Sequence, residues 1–150
     1  MTDISILDAV KIQARAIIPV VKALERELGK DRAHQIVGDA IAESWAEFTA
    51  SRQPTQNSHP GKAGTAFDFP VESIIVTDTE SEYGVDMTGC AFGEYFKKIG
   101  EPEIGALLTC GVDNAVERKM RPNWQFERTQ TLMQGAPHCD FRWHKKGSRS

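Results

Sequence analysis

The feature that most constrains the fold is a change in the spacing of hydrophobic residues along the chain. Between residues 4 and 48, apolar side chains recur every three or four positions, which predicts helices with one buried face. From residue 71 onward, β-branched residues gather in short runs that predict strands. Helices followed by strands, without regular alternation, predict an α+β fold in which an N-terminal helical hairpin packs with an antiparallel sheet and short helices.

The first 50 residues predict two helices. One apolar repeat runs from Ile4 to Leu28, and we expect Pro19 to kink or divide this helix. Gly29 is a predicted helix stop, and a second repeat follows from residue 36 to residue 48. Two antiparallel helices are the simplest arrangement of these segments.

The remaining segments predict a loop followed by a mixed core. Residues 51–66 are polar and rich in Ser, Gly and Pro, which predicts either a flexible lid or a linker. Residues 71–90 are typical of a β-hairpin, and AFGEYFKKIG and PEIGALLTC of helices. NWQFERTQTLM and HCDFRW predict a final pair of strands joined by the turn QGAP. We interpret residues 1–150 as one domain: a helical hairpin (1–50), a loop (51–70) and an α+β core (71–143).

Composition narrows the classes of partner. The 150 residues are 40% hydrophobic and 26% charged, as in globular proteins, and the net charge of −3 argues against nucleic acid as a partner. Charged residues interrupt the apolar N-terminal stretch, so we expect neither a signal peptide nor a membrane span, and a cytoplasmic protein. Three widely spaced cysteines are then expected to be reduced thiols.

Reactive side chains concentrate in the last third of the chain. Cys110 and Asp113 are three positions apart, on one helical face or at one helix end, where a carboxylate can orient a cationic substrate while a thiolate attacks. The alternative is that Cys110 is a small buried hydrophobe, since free cysteine is among the most buried residue types. Cys90, which follows a predicted strand, is expected to serve packing.

The segment HCDFRW is divided by strand alternation. The polar side chains His138, Asp140 and Arg142 point to one face, and Cys139 points to the other. Either the polar set lines a cleft and Cys139 belongs to the core, or Cys139 lies in the site while Asp140 and Arg142 form an external ion pair.

Arg128 is the first candidate for binding a substrate carboxylate, because a guanidinium can grip it with two parallel hydrogen bonds. It shares one face of the predicted strand with Gln130. The alternative is a salt bridge to Glu117 or Glu127.

Cofactor motifs are absent from the sequence. The cysteines, histidines and aspartates of the last third include zinc-type ligands, but no CxxC, HxxxH or HxH pairing occurs. No glycine-rich phosphate loop occurs either. We therefore expect no cofactor, with a divalent metal such as zinc as the minor alternative.

The order of these motifs resembles the L-2-amino-thiazoline-4-carboxylic acid hydrolase family. The motifs are Cys90 ahead of AFGEYF, Cys110-x-x-Asp113, Arg128 followed by Gly135, and Cys139-Asp140-Phe141-Arg142. The resemblance covers about residues 71–143. It implies hydrolysis of a cyclic isothiourea, in which the ring carbon between nitrogen and sulfur is attacked and the carbon–sulfur bond opens to give an N-carbamoyl amino acid.

Such a reaction needs a nucleophile, stabilisation of charge, and a cationic group for the substrate carboxylate. The nucleophile is either a thiolate or a water activated by a carboxylate. The candidates are Cys110 and Cys139 as nucleophile, Asp113 and Asp140 as proton handler, and Arg128, Arg142 and His138 for substrate binding. Two other functions compete: a non-catalytic domain that binds or senses a carboxylate metabolite, and an interaction domain that forms a homo-oligomer through the helical hairpin.

Overall fold

The computed structural model describes residues 3–53, 57–62 and 69–148. Within these ranges the chain forms five α-helices and a four-stranded antiparallel sheet, so the α+β prediction is confirmed. The helices are α1 (Ile6–Leu28), α2 (Lys30–Arg52), α3 (Ala91–Lys98), α4 (Pro102–Leu108) and α5 (Asp113–Met120). The strands are β1 (Val71–Asp78), β2 (Glu82–Cys90), β3 (Trp124–Glu127) and β4 (Cys139–Lys145).

The N-terminal helices meet at Gly29, as predicted. This residue has φ of +82°, a left-handed conformation that favours glycine, and it separates α1 from α2. Across the junction the His34 ring lies 2.6 Å from a carboxylate oxygen of Glu25. Of the two effects expected of Pro19, a kink or a division of the first helix, division is wrong, because α1 continues through it to Leu28. Pro19 is exposed, and the buried side of α1 holds the helix in place.

The main core joins α1 to the short helices. Its buried side chains are Val10, Ala14 and Val21 from α1, Phe92 and Phe96 from α3, Ile104 and Leu108 from α4, and Met133 from the final loop. These residues supply the apolar area whose removal from water stabilises the fold. The predicted helices at AFGEYFKKIG and PEIGALLTC are confirmed, and Pro102 opens α4.

The strands are arranged in the order β1-β2-β4-β3, with all neighbours antiparallel. The hairpin predicted over residues 71–90 and the predicted final pair of strands are both confirmed. A second core, formed by Val85, Trp124 and Trp143, lies on one face of this sheet.

The strand expected to continue beyond Phe126 is shorter than predicted. β3 ends at Glu127, and a loop with a short 3₁₀ turn at Leu132–Gln134 leads to β4. The prediction that Arg128 and Gln130 share a strand face is therefore wrong. Gly135, with φ of +95°, makes the predicted turn.

Part of the predicted lid or linker lies outside the described residues, namely 54–56 and 63–68. In the described part, the ring of His59 packs edge-on against Tyr83 and Trp124, with centroids 5.3 Å apart in each case. Its Nε2 also lies 2.7 Å from the carbonyl oxygen of Thr79. Among the helices of the described ranges, none is long and apolar enough to cross a membrane.

Candidate active site

Cys110 and Asp113 lie at the start of one helix. A 3₁₀ turn at Cys110–Val112 leads directly into α5, whose first residue is Asp113. The prediction that the two residues share a helix end is therefore confirmed. The sequence did not predict α5 itself, because its segment DNAVERKM contributes only Met120 to the buried residues.

Arg128 reaches this helix end from the loop after β3. One terminal nitrogen forms a short ion pair with Asp113, and the other donates to the carbonyl oxygen of Cys110 over 2.9 Å. The guanidinium also lies over the ring of Phe141, 5.4 Å from its centroid. Glu117 and Glu127, the partners considered from the sequence, form no ion pair with Arg128 in the described part of the chain.

Arg128 is held deeply, with only 11% of its side chain exposed. A guanidinium carries five N–H donors. The described residues provide acceptors for two of them. Because Asp113 neutralises the cation, burial of Arg128 is tolerated.

The Asp113 carboxyl has unusual proton affinity for an aspartate. Its pKa is raised to about 6, chiefly by burial and also by the negative charge of Glu117, while Arg128 acts in the opposite direction. One carboxylate oxygen is bound to Arg128, and the other has no hydrogen-bond partner among the described residues. A third of the side chain stays exposed.

The two candidate thiols are poorly ionised. Burial raises the pKa of the Cys110 thiol to about 11, and the nearby Thr109 hydroxyl, 3.5 Å from the sulfur, offsets this only in part. Burial also raises the pKa of Cys139, whose sulfur accepts a hydrogen bond from the backbone nitrogen of Leu132 over 3.1 Å. The thiolate is the nucleophilic form, so both cysteines are weak nucleophiles near neutral pH.

Cys90 caps a helix. Its sulfur lies 3.5 Å from the backbone nitrogen of Gly93 and accepts a hydrogen bond at the first turn of α3. Cys90 also packs against the main core, which is the role expected from the sequence. All three cysteines are free thiols.

Arg142 and His138 lie on the opposite face of the sheet from Phe141. Arg142 donates to a carboxylate oxygen of Asp86 over 2.7 Å, and His138 Nε2 lies 3.6 Å from the other oxygen. The external ion pair between Asp140 and Arg142 considered from the sequence is therefore wrong, because Asp86 takes that place. Asp86 was not among the residues predicted for a site, although an aspartate inside a predicted strand is uncommon and was an available signal.

Asp140 binds backbone. One of its carboxylate oxygens accepts hydrogen bonds from the backbone nitrogens of Thr129 and Gln130, over 2.8 and 2.9 Å. The other accepts a short hydrogen bond from the Thr129 hydroxyl. Burial raises the pKa of Asp140, but these hydrogen bonds outweigh burial and bring it below its ordinary value.

The candidate residues thus fall into two groups. Apart from Asp140, which binds the backbone of the loop after β3, one group is Asp113, Arg128, Cys110 and Cys139, which lie near one another on the Phe141 side of the sheet. His138 and Arg142 join Asp86 on the other side. Alternation along β4 causes this division, since successive side chains of a strand point to opposite faces. Within the described ranges, no three His, Cys, Asp or Glu side chains are grouped so that they could hold a metal ion.

The fold and this cluster define a small α+β protein with a partly buried carboxylate–guanidinium pair beside reduced thiols. The chain belongs to the L-2-amino-thiazoline-4-carboxylic acid hydrolase family, whose model matches residues 9–143. The match includes most of α1 and all of α2, and so extends well beyond the segment that carries the resemblance in the sequence.

Similarity to individual known proteins is low. No curated protein matches the chain. Among solved structures, the phenol-responsive sensory domain of the transcription activator PoxR with phenol is 13% identical, with a TM-score of 0.45 over 87% of this chain and 73% of that one. A trafficking protein particle complex subunit 3 from Naegleria fowleri, covalently bound to palmitic acid, is 12% identical, with a TM-score of 0.46 over 93% of this chain and 99% of that one.

Proposed function

We propose that the protein is a hydrolase that opens a small cyclic amidine or isothiourea of the L-2-amino-thiazoline-4-carboxylate type to an N-carbamoyl amino acid. Membership of the hydrolase family supports the reaction class. The observation that carries the assignment of residues is the state of Asp113, a partly exposed carboxylate with one oxygen on Arg128 and a pKa of about 6.

Asp113 is the proton acceptor in this proposal. A water molecule bound to its free oxygen gives one proton to the carboxylate as the water oxygen attacks the ring carbon between nitrogen and sulfur. Asp113 passes this proton to the ring nitrogen. It then takes the proton of the new hydroxyl group as the carbonyl forms and the carbon–sulfur bond breaks, and it gives that proton to the departing sulfur. A thiol with a pKa of roughly 8.5 leaves without a strong acid, so one carboxyl is sufficient.

A water nucleophile fits the site better than a thiolate. With a pKa of about 11, Cys110 is almost entirely protonated near neutral pH, whereas Asp113, with a pKa of about 6, is largely ionised there. A general base is most effective when its pKa lies near the working pH. The thiols would then shape an apolar wall beside the reacting ring.

Arg128 has two roles in the proposal. Its bond to Asp113 keeps the carboxylate in place, and its remaining N–H groups bind the substrate carboxylate. Arg142 and His138 lie on the other face of the sheet, paired with Asp86, which makes them weaker candidates for direct substrate contact.

The test is mass-spectrometric incubation of the purified protein with L-2-amino-thiazoline-4-carboxylate and with panels of hydantoins, lactams and cyclic ureas. We expect one member to gain one water. Asp113→Asn should reduce its turnover by about 10²- to 10⁴-fold, the usual contribution of a general base. Cys110→Ala should retain most of it. Asp39→Asn, an exposed aspartate on α2, is the matched control and should be neutral.

Two results would contradict the proposal in different ways. Loss of turnover in Cys110→Ala with full turnover in Asp113→Asn would show that a thiol, and not an activated water, is the nucleophile. Recovery of every compound unchanged after prolonged incubation, with binding detected by calorimetry, would instead support the non-catalytic binding domain.

A further inference from the structure

Asp140 acts on a segment of backbone that has no strand partner. The pairing of β3 with β4 ends at the pair Glu127 and Arg142. Thr129 and Gln130 therefore lack the hydrogen bonds of a sheet. The Asp140 carboxylate supplies the missing acceptor for the backbone N–H groups of both Thr129 and Gln130. A carboxylate that accepts several hydrogen bonds from one short segment fixes that segment strongly.

The fixed segment directly follows Arg128. The guanidinium must cross from this loop to the start of α5 to reach Asp113 and the carbonyl oxygen of Cys110. Among the described residues, no other hydrogen bond or ion pair holds the Arg128 side chain, whose guanidinium also lies over the Phe141 ring. Its position therefore depends on where the loop backbone is held.

We propose that Asp140 is a positioning residue that holds the Arg128 guanidinium against Asp113 by fixing the backbone of Thr129 and Gln130. This role rests on the proposed function of Asp113, and it removes Asp140 from the group of candidate proton handlers. With its carboxylate engaged by both backbone nitrogens and the Thr129 hydroxyl, Asp140 has few sites left for a substrate or a reacting water.

The consequence is an effect of Asp140 on the proton affinity of Asp113. The charged and titratable groups that face Asp113 are Arg128, Glu117, Cys110 and Cys139. Of these, Arg128 is the cation that lowers the pKa of Asp113. If the loop loosens, Arg128 leaves its place and the pKa of Asp113 rises.

The experiment is an NMR titration of the Asp113 side-chain carboxyl in the full-length protein, with the variants Asp140→Ala, Asp140→Asn and Thr129→Val. We expect Asp140→Ala to raise the pKa of Asp113 by about one unit, since loss of a neighbouring opposite charge typically shifts a pKa by this order. Asp140→Asn keeps an oxygen for the two backbone N–H groups and should shift it little. Asp39→Ala, on an exposed part of α2, is the control.

Thr129→Val covers the case in which Asp140→Ala does not fold. It removes only the hydroxyl contact, so a smaller rise in the pKa of Asp113 is expected. An unchanged titration of Asp113 in folded Asp140→Ala, or in folded Thr129→Val when the alanine variant does not fold, would overturn the positioning role.

The titration needs no substrate, so it separates this inference from the proposed reaction. If turnover exists, the acid limb of kcat/KM should move to higher pH in Asp140→Ala and stay in place in Asp140→Asn. Complete loss of turnover in folded Asp140→Asn, with normal titration of Asp113, would identify Asp140 as a proton handler and overturn the proposal. Absence of turnover in the wild type and in every variant would count against the proposed hydrolase activity but not against the positioning role of Asp140.

Discussion

The indole nitrogen of Trp143 lies 2.9 Å from a carboxylate oxygen of Glu117 and donates a hydrogen bond to it. Trp143 belongs to β4 and Glu117 to α5, so this bond fastens the sheet to the helix that begins with Asp113. Both oxygens of the same carboxylate also accept hydrogen bonds from Arg121. The position of the candidate base therefore depends on a contact four residues along its own helix.

Replacing Trp143 with Phe should destabilise the protein by about 2 kcal/mol. The ring still fills most of the space, but the hydrogen bond to a charged acceptor is lost, and such bonds contribute roughly 1.5–3 kcal/mol. Urea unfolding of Trp143→Phe, Glu117→Gln and the double variant would measure the coupling between the two side chains. A coupling free energy of zero would show that the bond adds nothing to stability.

Two helical glycines should respond differently to alanine. A Cβ at Gly105 would lie 2.6 Å from the Cβ of Phe96, which is fully buried, so Gly105→Ala should cost about 1–3 kcal/mol of stability. At Gly38 the nearest atom is the end of the Leu107 side chain at 3.2 Å, which can shift. Gly38→Ala should therefore be neutral or stabilise by up to about 1 kcal/mol. Thermal unfolding of both variants tests this pair, and equal losses would contradict it.

The fold was predictable wherever a local pattern determines it. The apolar period of α1, the stop at Gly29 and the β-branched run in the first strand of the hairpin all act within a few residues. The loop after β3 was not predictable in this way. Its backbone is held by the side chain of Asp140, ten or more residues away, and propensity carries no information on such a contact.

The sequence indicated which residues belong to the candidate site better than it indicated which of them lie together. The spacing of Cys110 and Asp113 indicated a shared helix end, and this is where they lie. The partner of Arg128 was not predicted: Glu117 and Glu127 were the acidic residues considered, and charge alone does not distinguish them from Asp113. The contact of Asp86 with Arg142 could be predicted only from the register between β2 and β4. This register places Asp86 opposite Asp140 and within reach of Arg142.

Stability should fall with rising pH because of Asp113. Its pKa is about 6 in the folded protein against an ordinary value of 3.8. Between these values the folded protein holds a proton that the unfolded chain has released, so the contribution is complete at low pH and lost as pH rises through about 6. Comparing urea unfolding of the wild type and Asp113→Asn over this range isolates the effect, because the other carboxyls are common to both. Parallel curves would show that the pKa of Asp113 is ordinary.

The folded protein should react slowly with thiol reagents near neutral pH. At a pKa of about 11, the Cys110 thiolate fraction at pH 7 is on the order of 10⁻⁴, and burial raises the pKa of Cys139 as well. The rate of iodoacetamide alkylation, followed by mass spectrometry of each cysteine peptide, should rise with pH for Cys110 without a plateau below about pH 10. Protein unfolded in urea is the control and should react much faster at pH 7. A folded Cys110 that reacts as fast as the unfolded control, with a plateau near neutral pH, would mean an activated thiolate and would favour the thiol nucleophile over the Asp113-activated water.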